Sequence, residues 1–382
     1  MPLLLYSYLL SEMAAPFLAS LAILTAVLFL GQLLQTFDLV FGLGIGLADF
    51  LRLTLYLLPK LMMFSMPLAA MLGVILAFNR LGGDNEFLAL RAAGVSRRQI
   101  VTPVVLFALV VMGMAAYSTV VLMPKGLSNT EILMVKLARE KIDRGLHAQA
   151  FSESLAGIVA YVDQIEPSSG QWQGVYLYDG RQEGHPLTIT ARSAALSADY
   201  TNLLLGLRLQ DGTIDYLDGE LSQHIDFKTY GLYLPVKVAN GTAGKNKPTV
   251  MTQAELLAAA EDLGDSLKGR SMRIEYHQRL ILAGGCLILT LLGLPFAARF
   301  RPGARQIAIP VGLLIFLLYY VCFSFAETMA QQGGGLPLPV ILWAPNGLFL
   351  TLAVLLIRRL DCESLLPWPA GLARLLAWGG RG

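Results

Sequence analysis

Six apolar stretches punctuate the chain, at Pro16 to Leu34, Leu53 to Phe78, Val101 to Met123, Leu280 to Ala298, Ile307 to Ala330 and Ile341 to Ile357. Each approaches the roughly 20 residues that a helix rising about 1.5 Å per residue needs to cross a hydrocarbon core about 30 Å thick. The pattern predicts about six spanning helices, three on each side of a polar insert. The first run starts too far in and is too long for a cleaved signal peptide, and Glu12 precedes it where a basic region belongs, so it is expected to be retained. Between Lys125 and about Arg270 the apolar period changes to two, the mark of strands with one buried face. Leu187, Ile189 and Ala191 alternate with polar neighbours, as do Leu205, Leu207 and Leu209, and then Ile225 and Phe227. Asp211-Gly212 between two such runs predicts a type I′ hairpin turn. Short strands with turns suggest a sandwich or jelly roll. Thr252 and Glu255 form a capping-box pattern for a helix on the return side, and Glu131 to Arg139 reads as a helix on the outgoing side.

Composition agrees with a membrane protein. Of 382 residues, 55% are hydrophobic and 15% charged, against roughly 25% charged in soluble domains. The net charge of +2 gives no basis for a nucleic-acid groove. Cys286, Cys322 and Cys362 all fall outside the polar insert, which leaves that insert without a disulfide framework or a CxxC site. Orientation follows from short loops, since cytoplasmic ones collect Lys and Arg. Arg80, Arg91, Arg97 and Arg98 lie between spans two and three, Arg299, Arg301 and Arg305 between four and five, and Arg358 and Arg359 after six. The stretches Phe37 to Asp49 and Gln331 to Pro339 hold no Lys or Arg, so both termini are expected inside and the insert outside. Lys268, Arg270, Arg273 and Arg279 at the outer start of span four pull the other way, but long translocated domains cross largely regardless of charge.

Signals of catalysis are weak. His147, His185, His224 and His277 are scattered without metal-ligand spacing, no GxSxG elbow occurs, and Gly241 to Lys245 lacks the spacing of a phosphate loop. The expectation is a non-enzymatic chain that binds no metal, cofactor or ATP itself and takes energy from a partner or an ion gradient. The most informative stretch runs from Gly82 to Gly94. Asp84 or Asn85 is suited to cap a helix, Glu86 to its positive end and Gly94 to a left-handed stop, predicting a helix of about two turns. Phe87, Leu90 and Leu88 make it apolar, and a helix so short needs packing from the bilayer or from another protein. It is either an interfacial helix or a docking helix for a cytoplasmic motor, with Glu86 and Arg91 as charged contacts. Thr102 and Pro103 then read as the cap and first residue of span three.

Glu86-Phe-Leu-Ala-Leu-Arg-Ala-Ala-Gly-Val-Ser96 resembles the E-L-x-A-L-R-A-A-G-V-S motif of the lipopolysaccharide-transport permeases LptF and LptG. Tyr161-Val-Asp163, the Gly174 to Asp179 strand and Trp343-Ala-Pro-Asn346 extend the similarity over nearly the whole chain, with LptF favoured by the Tyr-Val-Asp stretch and the region of Glu327. The resemblance implies an α-helical membrane protein with about six transmembrane helices and an inserted periplasmic β-jellyroll-like domain. It divides as residues 1–124 (spans one to three, with a coupling helix near 84–94), 125–270 (β domain and flanking helices), 271–360 (spans four to six) and 361–382 (cytoplasmic tail). It also implies pairing with the sister permease, an LptB-type ATPase dimer that consumes ATP and Mg2+, periplasmic LptC and LptA-type bridge proteins, lipopolysaccharide as cargo, and the bacterial inner membrane as location. The family's coupling-helix Glu corresponds to Glu86. In family members a basic N-terminal head is frequent, whereas this chain begins Met1-Pro-Leu-Leu-Leu-Tyr6.

Charges in the spans complete the candidate set. Lys60 lies a couple of helical turns beyond Arg52 on span two, at a depth where an ammonium must snorkel or face a wet cavity. If the cargo is a lipid with phosphates on its sugar head, Arg52 and Lys60 stand where the phosphates enter, and Phe29, Leu33 and Phe37 offer an apolar wall for acyl chains or plain helix packing. Glu327 is expected to stay solvated. Pro59 and Pro67 are candidates to kink span two. Two rivals fit the same pattern: a membrane sensor or mechanotransmission protein with a periplasmic ligand-binding domain, and an ion-coupled transporter, the latter weakened by few buried acids and no clear broken-helix repeat.

Overall fold

A computed structural model describes residues 2–43, 46–145, 148–155, 158–166, 171–180, 187–199, 204–218, 221–234, 237–238, 241–242, 247–264, 266–299, 308–333 and 337–358. His147, His185, Cys362 and the tail after Arg358 lie outside them. Six helices are long and apolar enough to span a membrane, which with the β insert makes the chain a helical membrane protein. They are α1 (Pro2–Leu43), α2 (Leu47–Gly83), α4 (Arg97–Tyr117) with its continuation α5 (Met123–Gly145), α7 (Leu267–Arg299), α8 (Ala308–Gln332) and α9 (Leu338–Arg358). Two short helices, α3 (Glu86–Ala92) and α6 (Gln253–Asp262), complete the helical set among the described residues. Between α4 and α5 the helix widens into a π turn over Ser118–Leu122. The chain forms two compact units, residues 1–31, 58–124 and 251–382 in one, and 32–57 and 125–250 in the other.

In the helical unit α2 and α7 are the most enclosed. Their inward faces join Leu9, Met13, Phe17 and Leu21, spaced every fourth residue on α1, and Val104, Phe107 and Val111 on α4 in one core. Gly73 makes the approach of α1 possible, because a β-carbon there would lie 2.8 Å from Phe17 Cβ. Without a hydrophobic drive between helices in lipid, small residues and polar ties carry more of the packing. One such tie centres on Asn346 of the Trp343-Ala-Pro-Asn346 motif. Its Oδ1 accepts from the Tyr319 hydroxyl at 2.7 Å and its Nδ2 donates to the Ile281 carbonyl at 3.0 Å, joining α7, α8 and α9. Gly284 and Gly285 leave room for this knot, since β-carbons there would press on Asn346 Nδ2 and the Tyr319 hydroxyl. The outward faces of α1 and α8 remain apolar, with Ile23, Val27, Leu30 and Leu34 on one and Leu314, Leu318, Val321 and Phe325 on the other, as lipid contact requires.

The second unit holds an antiparallel sheet of six strands in sequence order: β1 (Phe151–Leu155), β2 (Ile158–Ile165), β3 (Trp172–Asp179), β4 (Leu187–Asp199), β5 (Leu204–Asp218) and β6 (Leu221–Leu234). The pairings are those of a meander. A two-stranded ladder, β7 (Lys237–Val238) and β8 (Gly241–Thr242), follows. Leu53 and Tyr56 of α2, and Leu133, Met134 and Leu137 of α5, pack on the same core. The Tyr161-Val-Asp163 and Gly174 to Asp179 stretches prove to be neighbours, with Tyr161 opposite Tyr176 and Val162 opposite Val175.

Asp211-Gly212 does not form the expected hairpin. It lies inside β5, where Gly212 pairs with Ala191 on one side and Phe227 on the other. One left-handed residue, Asp211 at φ 49°, is enough to rotate the strand without reversing it. Gly212 is required for space: a β-carbon would strike the Thr190 carbonyl and the Phe227 ring. The rotation is shared by β2 to β6. Two registered rows, Val162, Val175, Ala191, Gly212 and Phe227, then Ile165, Trp172, Ala194, Leu209 and Tyr230, stand three residues apart along each of these five strands instead of two. The side chains in both rows join the same core, so the face that is buried changes parity at one transverse line, with Gly174 at φ 62° marking it on β3.

Candidate functional site

The tip of α2 is built by backbone conformation. The Asp84 amide still donates to the Arg80 carbonyl at 3.0 Å, then Asn85 turns the chain with φ 59° and its carbonyl accepts from Ala89 at 3.0 Å, starting α3. Asn85 thus holds the first position by its backbone, and the Asp84 carboxylate sits 3.9 Å from Arg80 Nε. At the far end Gly94, at φ 81°, allows the Val95 amide to reach back to the Leu90 carbonyl at 3.1 Å, a Schellman closure. The third span starts earlier than Thr102 and Pro103 suggested. Ser96 is the cap and Gln99 completes a capping box, its Oε1 accepting from the Ser96 amide at 2.8 Å, while the Thr102 hydroxyl donates to the Arg98 carbonyl. The S-x-x-Q spacing carried that signal in the sequence.

The N-terminal turns of α1 close over this tip. The Tyr8 hydroxyl donates to Glu86 Oε2 at 2.6 Å, and one turn later Glu12 Oε2 accepts from Arg80 Nη1 at 3.1 Å. Tyr8 and Glu12 were missed by sequence reasoning, although a tyrosine and a carboxylate four apart at the head of an apolar helix are the available signal. Leu90 is half-buried; the side chains of Phe87 and Arg91 lie outside the described residues.

A second polar group lies on α7. Arg279 is fully buried, with its Nε donating to Glu275 Oε1 at 2.9 Å and its Nη1 to the Met251 carbonyl at 2.9 Å. Its own carbonyl accepts from Thr119 at 3.2 Å, in the π turn. Arg273 donates to the carbonyl of Gly264 at 3.1 Å just beyond the end of α6, and Arg270 lies against Gly333, just past the end of α8. Three of the four basic residues at the start of span four are therefore drawn into the fold, and one of them, Arg273, reaches carbonyls at the C-terminal end of α6. Lys60 and Glu327 are both half-buried and within electrostatic reach of Glu275, so the expectation that Glu327 stays solvated is corrected.

The other expected lipid contacts are dispersed. Phe29 and Leu33 are half-buried on α1, and the side chain of Phe37 lies outside the described residues. Arg52 is exposed and sits 3.3 Å from Asp49 of its own helix. An apolar groove of about 760 Å³ runs between α8 and α9, lined by Cys322, Phe325, Met329, Ala344 and Leu348 among others. No group of three or more metal-ligating side chains occurs among the described residues.

The family model described as lipopolysaccharide export system permease LptF/LptG matches residues 7–359. It joins LptF and LptG and does not separate the two. Uncharacterized protein RP871 of Rickettsia prowazekii (strain Madrid E) is 23% identical over 318 residues, 79% of this chain and 86% of that protein.

Proposed function

Because this chain belongs to the LptF/LptG family of lipopolysaccharide-export permeases, we propose that it is the inner-membrane half of an ATP-driven extractor, with both termini in the cytoplasm and the β unit in the periplasm. In this reading α3 docks on an LptB-type ATPase dimer that binds ATP and Mg2+, a sister permease completes the lipid cavity, and the β unit hands lipopolysaccharide to LptC and LptA-type bridge proteins. LptF is the favoured of the two permease identities. The segments 1–124, 125–270, 271–360 and 361–382 then serve as first span bundle, periplasmic domain, second span bundle and cytoplasmic tail.

The observation that carries the reading is α3 itself. A helix of seven residues is far below the length at which a helix is stable alone, yet it is delimited by a left-handed residue before it and a left-handed glycine after it, and tied to α1 through Glu86. Such a lever suits a partner that pushes. The orientation gains support from Arg273 and Arg279, whose positive charges are met inside the fold by carbonyls and by Glu275. Work on the cargo requires that the two cavity states bind lipid with different affinity, since a ligand bound equally by both shifts nothing. Arg52, Lys60, Phe29, Leu33 and Phe37 are the residues proposed to touch it, Lys60 within electrostatic reach of Glu275.

The test is reconstitution of this chain with the ATPase and sister permease in vesicles containing lipopolysaccharide, scoring lipid released to a soluble acceptor with and without ATP. Glu86→Lys should lose the ATPase or hydrolyse ATP without release. Normal docking and release by that variant, or release by the purified chain without ATPase, refutes the proposal.

A further inference from the structure

The geometry points to Tyr8 as a positioning residue for the coupling glutamate: its hydroxyl, 2.6 Å from Glu86 Oε2, fixes the direction of the Glu86 carboxylate and binds the lever helix to the head of span one. This deepens the proposed role of α3 and rests on it. The path of the chain shows why such a tie is needed. Asn85 is the only residue between Asp84 and the first turn of α3, and its left-handed backbone permits the hinge without setting its angle. The closing turn at Gly94 is likewise not braced by packing, because nothing lies within 4 Å of where a β-carbon would stand. Among the described side chains of α3, Glu86 is tied to the bundle over a long range, and its partner is Tyr8, 78 residues away in sequence.

The second contact, Glu12 to Arg80 at 3.1 Å, holds the end of α2 from the adjacent turn of α1. Tyr8 and Glu12 are four residues apart, so they lie on one face of α1 and grip the two sides of the hinge at Asp84 and Asn85. A carboxylate that accepts one short hydrogen bond on Oε2 keeps lone pairs on Oε1 for a cation of the motor. The phenol therefore leaves the acid able to bind, and aims it. It also makes a load path: force applied at α3 passes into α1 through this bond as well as into α2 through the chain.

The experiment uses the full chain with its ATPase and sister permease. Tyr8→Phe removes only the hydroxyl. Expected are an unchanged thermal midpoint, faster amide exchange over Glu86–Ala92, and lipid released per ATP lowered roughly five- to tenfold, the scale of one partly exposed charge-assisted hydrogen bond. In a Glu86→Ala background, where no acceptor faces the Tyr8 hydroxyl, the same substitution should add nothing further, because the two side chains act as a unit. Glu86→Lys is included as the control for docking. Normal exchange and release by Tyr8→Phe alongside a failing Glu86→Lys overturns the positioning role and leaves the docking reading intact. A normal Glu86→Lys overturns both. Additive losses in the double variant, or a fallen midpoint in Tyr8→Phe, reduce Tyr8 to a packing residue and overturn the inference.

Discussion

Replacing Arg279 by Met is expected to destabilise the helical unit severely, and replacing Glu275 together with it is expected to restore part of the loss. Arg279 is 0% exposed and Glu275 8%, so both charges have left water, and each depends on the other at 2.9 Å. The single Arg279→Met variant strands a buried carboxylate and removes the donor of the Met251 carbonyl, a combination that costs about 3–5 kcal/mol. In the double variant, Arg279→Met with Glu275→Leu, the stranded charge is gone and apolar volume fills the space; buried pairs replaced in this way are often neutral in stability. What remains is the Met251 carbonyl, worth about 1–3 kcal/mol if left unsatisfied, together with the loss of a carboxylate within electrostatic reach of Lys60. Thermal denaturation of the detergent-solubilised full chain, followed by intrinsic fluorescence, should rank wild type first, the double variant next and Arg279→Met last. A double variant no more stable than the single one would show that the two side chains are not a pair in the sense argued here. A single variant that melts like wild type would place Arg279 in water.

Two further outcomes follow from the β unit. Gly212→Ala should destabilise it by about 2 kcal/mol or more, since the added carbon meets backbone on a neighbouring strand and cannot swing away; Gly231→Ala, which meets nothing within 4 Å, should be near neutral, and equal midpoints for the two would refute the steric account. His224 bonds to Asp215 at 2.6 Å across β5 and β6, and this bond, with the aspartate's charge and that of Asp226, raises its affinity for a proton above the usual value near 6.5. A group raised in the folded state stabilises fully below its ordinary value and loses that contribution as pH rises through the raised one, so NMR should find the His224 midpoint above 6.5 and the small pH step in stability just above it should vanish in His224→Asn.

Much of the architecture was legible because it is periodic. Six apolar runs and one polar insert are readable from hydrophobicity, and the Thr252 and Glu255 capping box forms as spaced, its Glu255 Oε2 accepting from the Thr252 amide at 2.8 Å. What escaped was contextual. Asp211-Gly212 carries a turn signature, but neighbours on both edges kept the strand extended, and pairing outweighed local preference. Arg279 read as one of a cluster at a membrane boundary because its partner sits on the same helix four residues earlier, and the carbonyl of Met251 that completes its shell carries no sequence signal at all. Tyr8 and Glu86 are separated by 78 positions, a distance across which no local pattern reaches. Arg52 and Lys60 were grouped by charge alone, and the structure gives them separate surroundings.

The transverse line in the β sheet restricts how this insert can drift. Five consecutive strands change parity at the same latitude, and none gains a residue in doing so. Removing one residue from either arm of a single strand would carry its corner out of step with both flanking strands and turn half of its apolar positions toward solvent. Connecting loops can lengthen without touching that latitude, so variation should accumulate at the rims while the distance from rim to corner stays fixed in all five strands at once.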